Sequence, residues 1–216
     1  MAVVIGTSAG FVTAAPSINP SGSADVIDGR AWGTKDTSSS SVTTITEIGW
    51  FSTSSFTDID TEVSIYTHDS GNNEPQTVVD DVVTDTVSSS SNSWVRYTGL
   101  NISISSSTVY WICAQMDNNA TSIRTDKSSG STGDWIETTD QTALPDPTWD
   151  IGGRVTTGTV AAIYALTDGG STGNDLQLNI GDDWKTMDAM QINIGDSWKA
   201  VEGVQVNIGD SWKTVF

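Results

Sequence analysis

The side chains that most often do chemistry in enzymes are scarce in this sequence. His68 is the only histidine and Cys113 the only cysteine. A nucleophilic Ser–His or Cys–His pair would need His68, which lies in a turn-rich stretch beside Asp69. One Cys and one His cannot supply a zinc site, and a single Cys forms no intrachain disulfide. We therefore expect a solvated His68, a buried Cys113 and no catalytic residues.

Carboxylates are abundant, and one group of them has a spacing that could bind a metal. Asp58, Asp60 and Glu62 alternate with Ile59, Thr61 and Val63, so an extended strand would carry the three acids on one face. Three neighbouring acids repel one another, and a hard cation such as Ca²⁺ would relieve that repulsion. A solvated acidic face is the other interpretation, and no further cofactor is expected. Composition alone also leaves a two-carboxylate glycoside hydrolase open.

Tryptophan is the third residue type that could bind a ligand, and the chain has nine. Trp50, Trp94 and Trp111 lie in strand-like runs, where packing in the core is expected. Trp135 and Trp149 lie in loop-like stretches. Because an exposed indole can stack on a sugar ring, these two residues are the predicted glycan contacts.

Three other tryptophans belong to a triplicated motif of fourteen residues at the end of the chain. Each copy alternates apolar and polar residues, turns at Gly-Asp and continues into Trp-Lys. This pattern predicts three β-hairpins. A lone hairpin is marginally stable in water, so we expect the three to share a core. The residues predicted for that core are Trp184, Trp198, Trp212, Ile180, Ile194 and Ile208.

The composition predicts that these residues lie on β-strands. Val and Ile number 19 and 18 against 5 Leu, and β-branched side chains favour pleated sheets. Strand-like segments at short intervals across 29–167 predict an all-β fold, a jelly-roll-like antiparallel β-sandwich in which 109–116 is a central strand. Residues 1–28 form an extended N-terminal arm, either on a neighbouring subunit or as a strand of this domain. Residues 168–175 are a Gly-rich linker, and 176–216 form a small module of three repeated β-hairpins.

Charge narrows the range of partners. The net charge of −18 repels nucleic acid and anionic membranes, so neither is expected as a partner. No stretch is long and apolar enough for a membrane span. The start MAVVIGTSAG lacks the basic region of a signal peptide. Synthesis and assembly in a cytoplasm are therefore expected, and a leader that has already been removed is the alternative.

Two parts of the chain resemble known protein classes. The C-terminal motif resembles a repeat common at the C-termini of tailed-phage structural proteins. Its three copies read NIGDDWKTM, NIGDSWKAV and NIGDSWKTV. The segment 11–166, with GFVTAAPSINPSG, ITEIGWFS and TVYWICAQMD, resembles β-sandwich modules of phage and bacterial surface proteins. This resemblance implies a capsid-decoration, head-fibre or tail-fibre subunit, often trimeric and often in contact with carbohydrate. It implies no catalytic residues.

These observations favour a non-enzymatic structural protein of a virus particle, made in the host cytoplasm. Its expected partners are other copies of itself, with a trimer favoured, other virion proteins and host-surface carbohydrate. The alternative is a carbohydrate-binding module of a bacterial surface or secreted protein, and an enzyme acting on glycans is the third hypothesis. Whether the three hairpins close within one chain or between chains stays open.

Overall fold

A computed structural model describes residues 2–40, 44–117 and 122–168 together with six short C-terminal strands. The described residues contain strands and turns but no helix, so the fold is all-β as predicted. The chain divides into two compact units, Met1–Gly169 and Gly170–Phe216. The described residues of the first unit form twelve strands: β1 Gly10–Val12, β2 Ser23–Val26, β3 Arg30–Thr37, β4 Thr44–Ser52, β5 Phe56–Asp69, β6 Glu74–Val78, β7 Val83–Ser89, β8 Ser93–Ser103, β9 Val109–Met116, β10 Arg124–Thr139, β11 Arg154–Ala161 and β12 Ile163–Thr167.

Two sheets form the sandwich of the first unit. The small sheet has the order β1-β12-β4-β8, and the large sheet has the order β11-β10-β3-β9-β5-β6. Strand β2 pairs with one end of β10, and β7 pairs with one end of β5. The strand predicted to be central, β9, lies between β3 and β5 and is buried along nearly its whole length. Among the described strands of this unit, β1 and β12 pair in parallel and the other pairs are antiparallel.

Large aromatic rings fill the space between the sheets. Trp32 stacks on Trp135 with ring centroids 5.5 Å apart, and it meets Trp50 edge to face at 6.2 Å. Trp50 in turn stacks on Phe56 at 5.8 Å. These rings lie in one cluster with Ile and Val side chains of both sheets, so the period-two alternation of the strands is what builds this core.

A long loop covers the outer face of the large sheet. Residues 140–153, the strap, place Leu144 and Trp149 on a second apolar cluster that includes Tyr66 and Cys113. The Tyr66 hydroxyl donates to the carbonyl of Pro145 at 2.5 Å. Two backbone hydrogen bonds join the strap to β6. The Trp149 amide donates to the Gln76 carbonyl at 2.7 Å, and the Val78 amide donates to the Pro147 carbonyl at 2.9 Å. Cys113 is fully buried, as expected for a small apolar side chain.

The N-terminal residues supply strands to their own sandwich. Strand β1 pairs with β12 and β2 pairs with β10, so both lie in the sheets of this domain. The Phe11 amide donates to the Asp36 carboxylate at 2.9 Å. A Cβ at Gly10 would come within 2.2 Å of that carboxylate, and the φ of Gly10 is +71°. Glycine is therefore required where the chain enters β1.

Those parts of the second unit that the structure describes are six strands in three antiparallel pairs. They are β13 Gln177–Ile180 with β14 Asp183–Thr186, β15 Gln191–Asn193 with β16 Trp198–Ala200, and β17 Gln205–Ile208 with β18 Ser211–Thr214. The register is equivalent in all three, because Asn179, Asn193 and Asn207 pair with Trp184, Trp198 and Trp212.

Candidate functional site

The three acids predicted to bind calcium lie on β5, and each is engaged by a hydroxyl of the neighbouring strand. The pairs are Asp58 with Ser88 at 3.1 Å, Asp60 with Thr86 at 2.5 Å and Glu62 with Thr84 at 3.4 Å. Alternate residues of one strand stand roughly 7 Å apart along it, whereas Ca²⁺ needs several oxygens about 2.3–2.6 Å away. Across the described ranges, no three His, Cys, Asp or Glu residues form a group that could hold a metal ion. The acids form a ladder with hydroxyl partners rather than the predicted calcium site.

Neither tryptophan predicted to contact glycans is exposed. Trp135 lies in β10 rather than in a loop, and its side chain is fully buried against Trp32. Trp149 is in the strap, but only 6% of it is exposed. Its ring meets Tyr66 edge to face at 5.3 Å, and its indole nitrogen donates to the Gly152 carbonyl at 2.8 Å. The expectation of exposed rings is wrong, because the sheet and the strap bury both of them.

A polar network on the outer face of the large sheet brings together residues of several elements. The Lys35 ammonium on β3 lies 2.5 Å from the Asp134 carboxylate on β10 and 2.5 Å from the Asn73 side-chain oxygen. The Asn73 amide and the Gly158 backbone amide also donate to that carboxylate, at 2.9 and 3.0 Å. Burial acts to raise the pKa of Asp134, but its bonds to Lys35, Asn73 and Gly158 outweigh burial and lower it. The network ties the turn before β6 to the sheet.

His68 stands next to this network, in β5 rather than in a loop. The Trp111 indole nitrogen donates to His68 Nδ1 at 3.2 Å, which leaves Nε2 to carry the proton of the neutral ring. Partial burial, together with the nearby positive charge of Lys35, lowers the pKa of His68. The imidazole therefore acts as an acceptor that holds Trp111 in place. While Nδ1 accepts that hydrogen bond, it cannot serve as a general base.

A second polar cluster lies on the outer face of the small sheet. The Tyr164 hydroxyl donates a short hydrogen bond to Glu47, whose carboxylate also receives Arg96 Nη1 at 3.1 Å. Arg96 Nη2 donates to the Pro16 carbonyl at 2.7 Å, and the guanidinium lies 5.9 Å from the centre of the Tyr164 ring. Burial, followed by the bond to Glu47, raises the pKa of Tyr164. The cluster clamps the N-terminal segment onto the sheet.

Both clusters are arranged to hold structure. Lys35, Asp134, Glu47 and Arg96 each contact a partner of opposite charge. Their other hydrogen bonds go to backbone groups, to the Asn73 amide and, for Glu47, to the Tyr164 hydroxyl. No nucleophile with an adjacent base is formed by these residues. Sequence reasoning missed both clusters because their members are far apart in the chain, as with Glu47 and Tyr164, which are separated by 117 positions. Only the pairing of strands brings them together.

The register of the hairpins separates the residues predicted for the tail core. Directly opposed residues share a face of a hairpin, and alternate residues of a strand lie on opposite faces. Trp184 therefore shares a face with Gln177, Asn179 and Thr186, and the equivalent residues do so in the other two hairpins. Ile180 and Ile208 belong to the opposite face of their hairpins, together with Lys185 and Lys213. Ile194 lies outside the described residues.

The chain matches no protein-family model, no curated protein and no solved structure. Its described residues also include no helix that could cross a membrane.

Proposed function

We propose that this chain is a non-enzymatic structural protein exposed on a virus particle, of the bacteriophage capsid-decoration or fibre type. The observation that carries the proposal is the common register of the three C-terminal hairpins. Three copies of one small unit, spaced evenly along the chain, suit repeated contacts in an assembly better than a single reaction centre. The resemblance of the NIGD-x-WK strings to phage tail repeats leads to the same class.

The size of the hairpins supports assembly. Each pairs two strands only, and an isolated two-stranded hairpin is marginally stable in water. Both strands of such a pair also have an edge that can accept another strand. Each hairpin therefore needs cover from its neighbours or from other copies of the chain. We propose that other copies supply part of it, with a trimer as the favoured arrangement and other virion proteins as further partners.

Charged groups of the sandwich support a structural role. Lys35 and Asp134 secure a turn, and Arg96 with Glu47 secures the N-terminal segment. A net charge of −18 suits a surface that stays solvated when many copies are displayed together. We place the protein on the virion, after synthesis in the host cytoplasm.

Contact with surface glycans is proposed for the hairpins rather than for Trp135 and Trp149. The register places an indole-bearing residue, Trp184, on the same hairpin face as Gln177 and Asn179. Residue types with an aromatic ring and with amide groups, at register positions on one hairpin face, are a combination suited to sugars. Three such positions in one chain would strengthen a weak contact through multivalency.

Purified particles from the virus or prophage that encodes this sequence provide the test. Peptides of the chain should be present at a fixed stoichiometry, and an antibody against the full chain should label intact particles in electron microscopy. Replacing Trp184, Trp198 and Trp212 together by Ala should reduce incorporation. The matched control is Thr186→Ala with Thr214→Ala, because Ala200 already occupies the equivalent position. Particles that lack the chain altogether would refute the proposal.

A further inference from the structure

The two sheets of the sandwich differ sharply in charge. The four strands of the small sheet contain one acid, Glu47, and one base, Arg96, and these two pair with each other. The eight strands of the large sheet contain eleven acids and five bases. The negative charge is therefore concentrated on the large sheet, while the small sheet is neutral.

The N-terminal segment extends this neutral surface. Residues 1–24 contain no Asp, Glu, Lys, Arg or His, and this is the longest uncharged run in the chain. Val3 and Ala9 pack in one cluster with Phe51 of β4, and Trp94 of β8 packs against that cluster. The Pro16 carbonyl is held by Arg96, as described above. Residues 2–20 and the outer side of the small sheet together form what we term the neutral face.

Exposed apolar side chains are found on the same surface. Within the part of the chain whose burial is described, the exposed large hydrophobic residues are Val4 at 44% and Ile18 at 59%, both in the N-terminal segment. Beside Ile18 is a cleft of about 290 Å³, lined by small and apolar residues that include Ala14, Pro16 and Pro20. Ile18 itself forms part of the lining. A projecting aliphatic side chain and an apolar cleft therefore lie side by side.

We propose that the neutral face binds a second copy of this chain. With a net charge of −18, two copies repel each other wherever their acidic surfaces approach. The neutral face avoids that repulsion and presents apolar groups that gain free energy when covered. Because Ile18 and the cleft are adjacent on one surface, a two-fold contact lets each Ile18 enter the cleft of the other copy. Residues 2–20 with the adjoining strand β8 match the roughly 20–30 residues that each partner contributes to a standard interface.

This inference rests on the proposed role in assembly, but it concerns a surface separate from the hairpins. The full chain should associate reversibly in sedimentation-velocity experiments across a wide range of concentration. Added salt should leave this association unchanged or strengthen it, because salt screens the repulsion between the acidic remainders of the two copies. A contact that weakens with salt would contradict a neutral interface.

The decisive comparison uses one added negative charge at two places. Ile18→Glu should weaken association at least about tenfold, since it places an unpaired carboxylate in the contact. Gln76→Glu adds the same charge at an exposed position of β6 in the large sheet and should leave association close to that of the unmodified chain. Both substituted positions are exposed, so circular dichroism should show native strand content in each variant. Equal association of the two variants would overturn the proposal.

Combining Ile18→Glu with changes in the hairpins distinguishes the contribution of the neutral face to association from that of the hairpins. In the full chain with Trp184, Trp198 and Trp212 replaced by Ala, Ile18→Glu should still reduce the association that remains. A full chain that is monomeric at every concentration would overturn the inference and assign the face to a different partner. Absence of the chain from particles would refute the proposed function instead, whatever association is measured in solution.

Discussion

Replacing Asp134 by Asn should destabilise the sandwich by about 2 kcal/mol at neutral pH. The side chains of Lys35 and Asp134 are only 18% and 11% exposed, so this ion pair is largely desolvated. Exposed pairs contribute about 0–1 kcal/mol, whereas breaking a fully buried pair costs about 3–5 kcal/mol. The substitution keeps the shape of the side chain but leaves the Lys35 ammonium without its counter-charge. An intermediate loss of free energy of unfolding is therefore expected.

The pH dependence of this loss follows from the pKa of Asp134, which is lowered in the folded protein. A carboxyl group with a depressed folded pKa stabilises the fold above its unfolded pKa of 3.8. That contribution disappears as the pH falls through the folded pKa. The stability difference between the unmodified chain and Asp134→Asn should therefore be constant near neutrality and shrink in acid below pH 3.8.

Urea denaturation of the full chain, followed by far-ultraviolet circular dichroism, measures the effect as a shift in midpoint. Replacing Lys35 by Met together with Asp134→Asn should restore most of the stability, since removing both members of a buried pair is often neutral. Arg154→Gln serves as the control, because Arg154 is 77% exposed and 3.8 Å from Glu137. It should cost less than about 1 kcal/mol. An Asp134→Asn protein as stable as the unmodified chain at pH 7 would refute the reasoning.

Three further predictions concern the same domain. Gly49→Ala should lower the free energy of unfolding by about 1–3 kcal/mol, because the added Cβ would lie 2.6 Å from the Tyr164 ring. The control Gly71→Ala, at an exposed turn, should change the free energy of unfolding little, and equal stability of the two variants would contradict the prediction. The imidazole of His68 should titrate with a midpoint below pH 6.5 in NMR spectra, and a midpoint at or above 6.5 would contradict the lowered pKa. The stability of the unmodified chain should fall as the pH drops below 6.5, and this contribution should be absent in His68→Gln. The Cys113 thiol, whose pKa is raised by burial, should react with a maleimide only as fast as the protein unfolds, so rapid labelling of the native chain would disprove the assignment.

Several features could be predicted from the sequence because their causes are local. The alternation and β-branched content of the chain predict strands, and the doubly apolar run 109–116 predicts a strand buried on both faces. Two tryptophans show where local patterns mislead. The polar residues around Trp135 are typical of a loop, yet that segment is the bulged strand β10, and the polar stretch around Trp149 is a strap packed on the large sheet. Local polarity does not report which face of a segment meets the core.

The class of local structure, the repeat in the C-terminal part and the excess of acidic residues can all be predicted from the amino-acid sequence. Each depends on residue types and short spacings, which act within a few residues. The tertiary structure alone decided that Glu47 meets Tyr164 and Arg96, and that His68 accepts from Trp111. It also decided that the acids gather on the large sheet, while the small sheet carries only the paired Glu47 and Arg96. These outcomes depend on which strands become neighbours, and burial of apolar surface along the whole chain selects that arrangement.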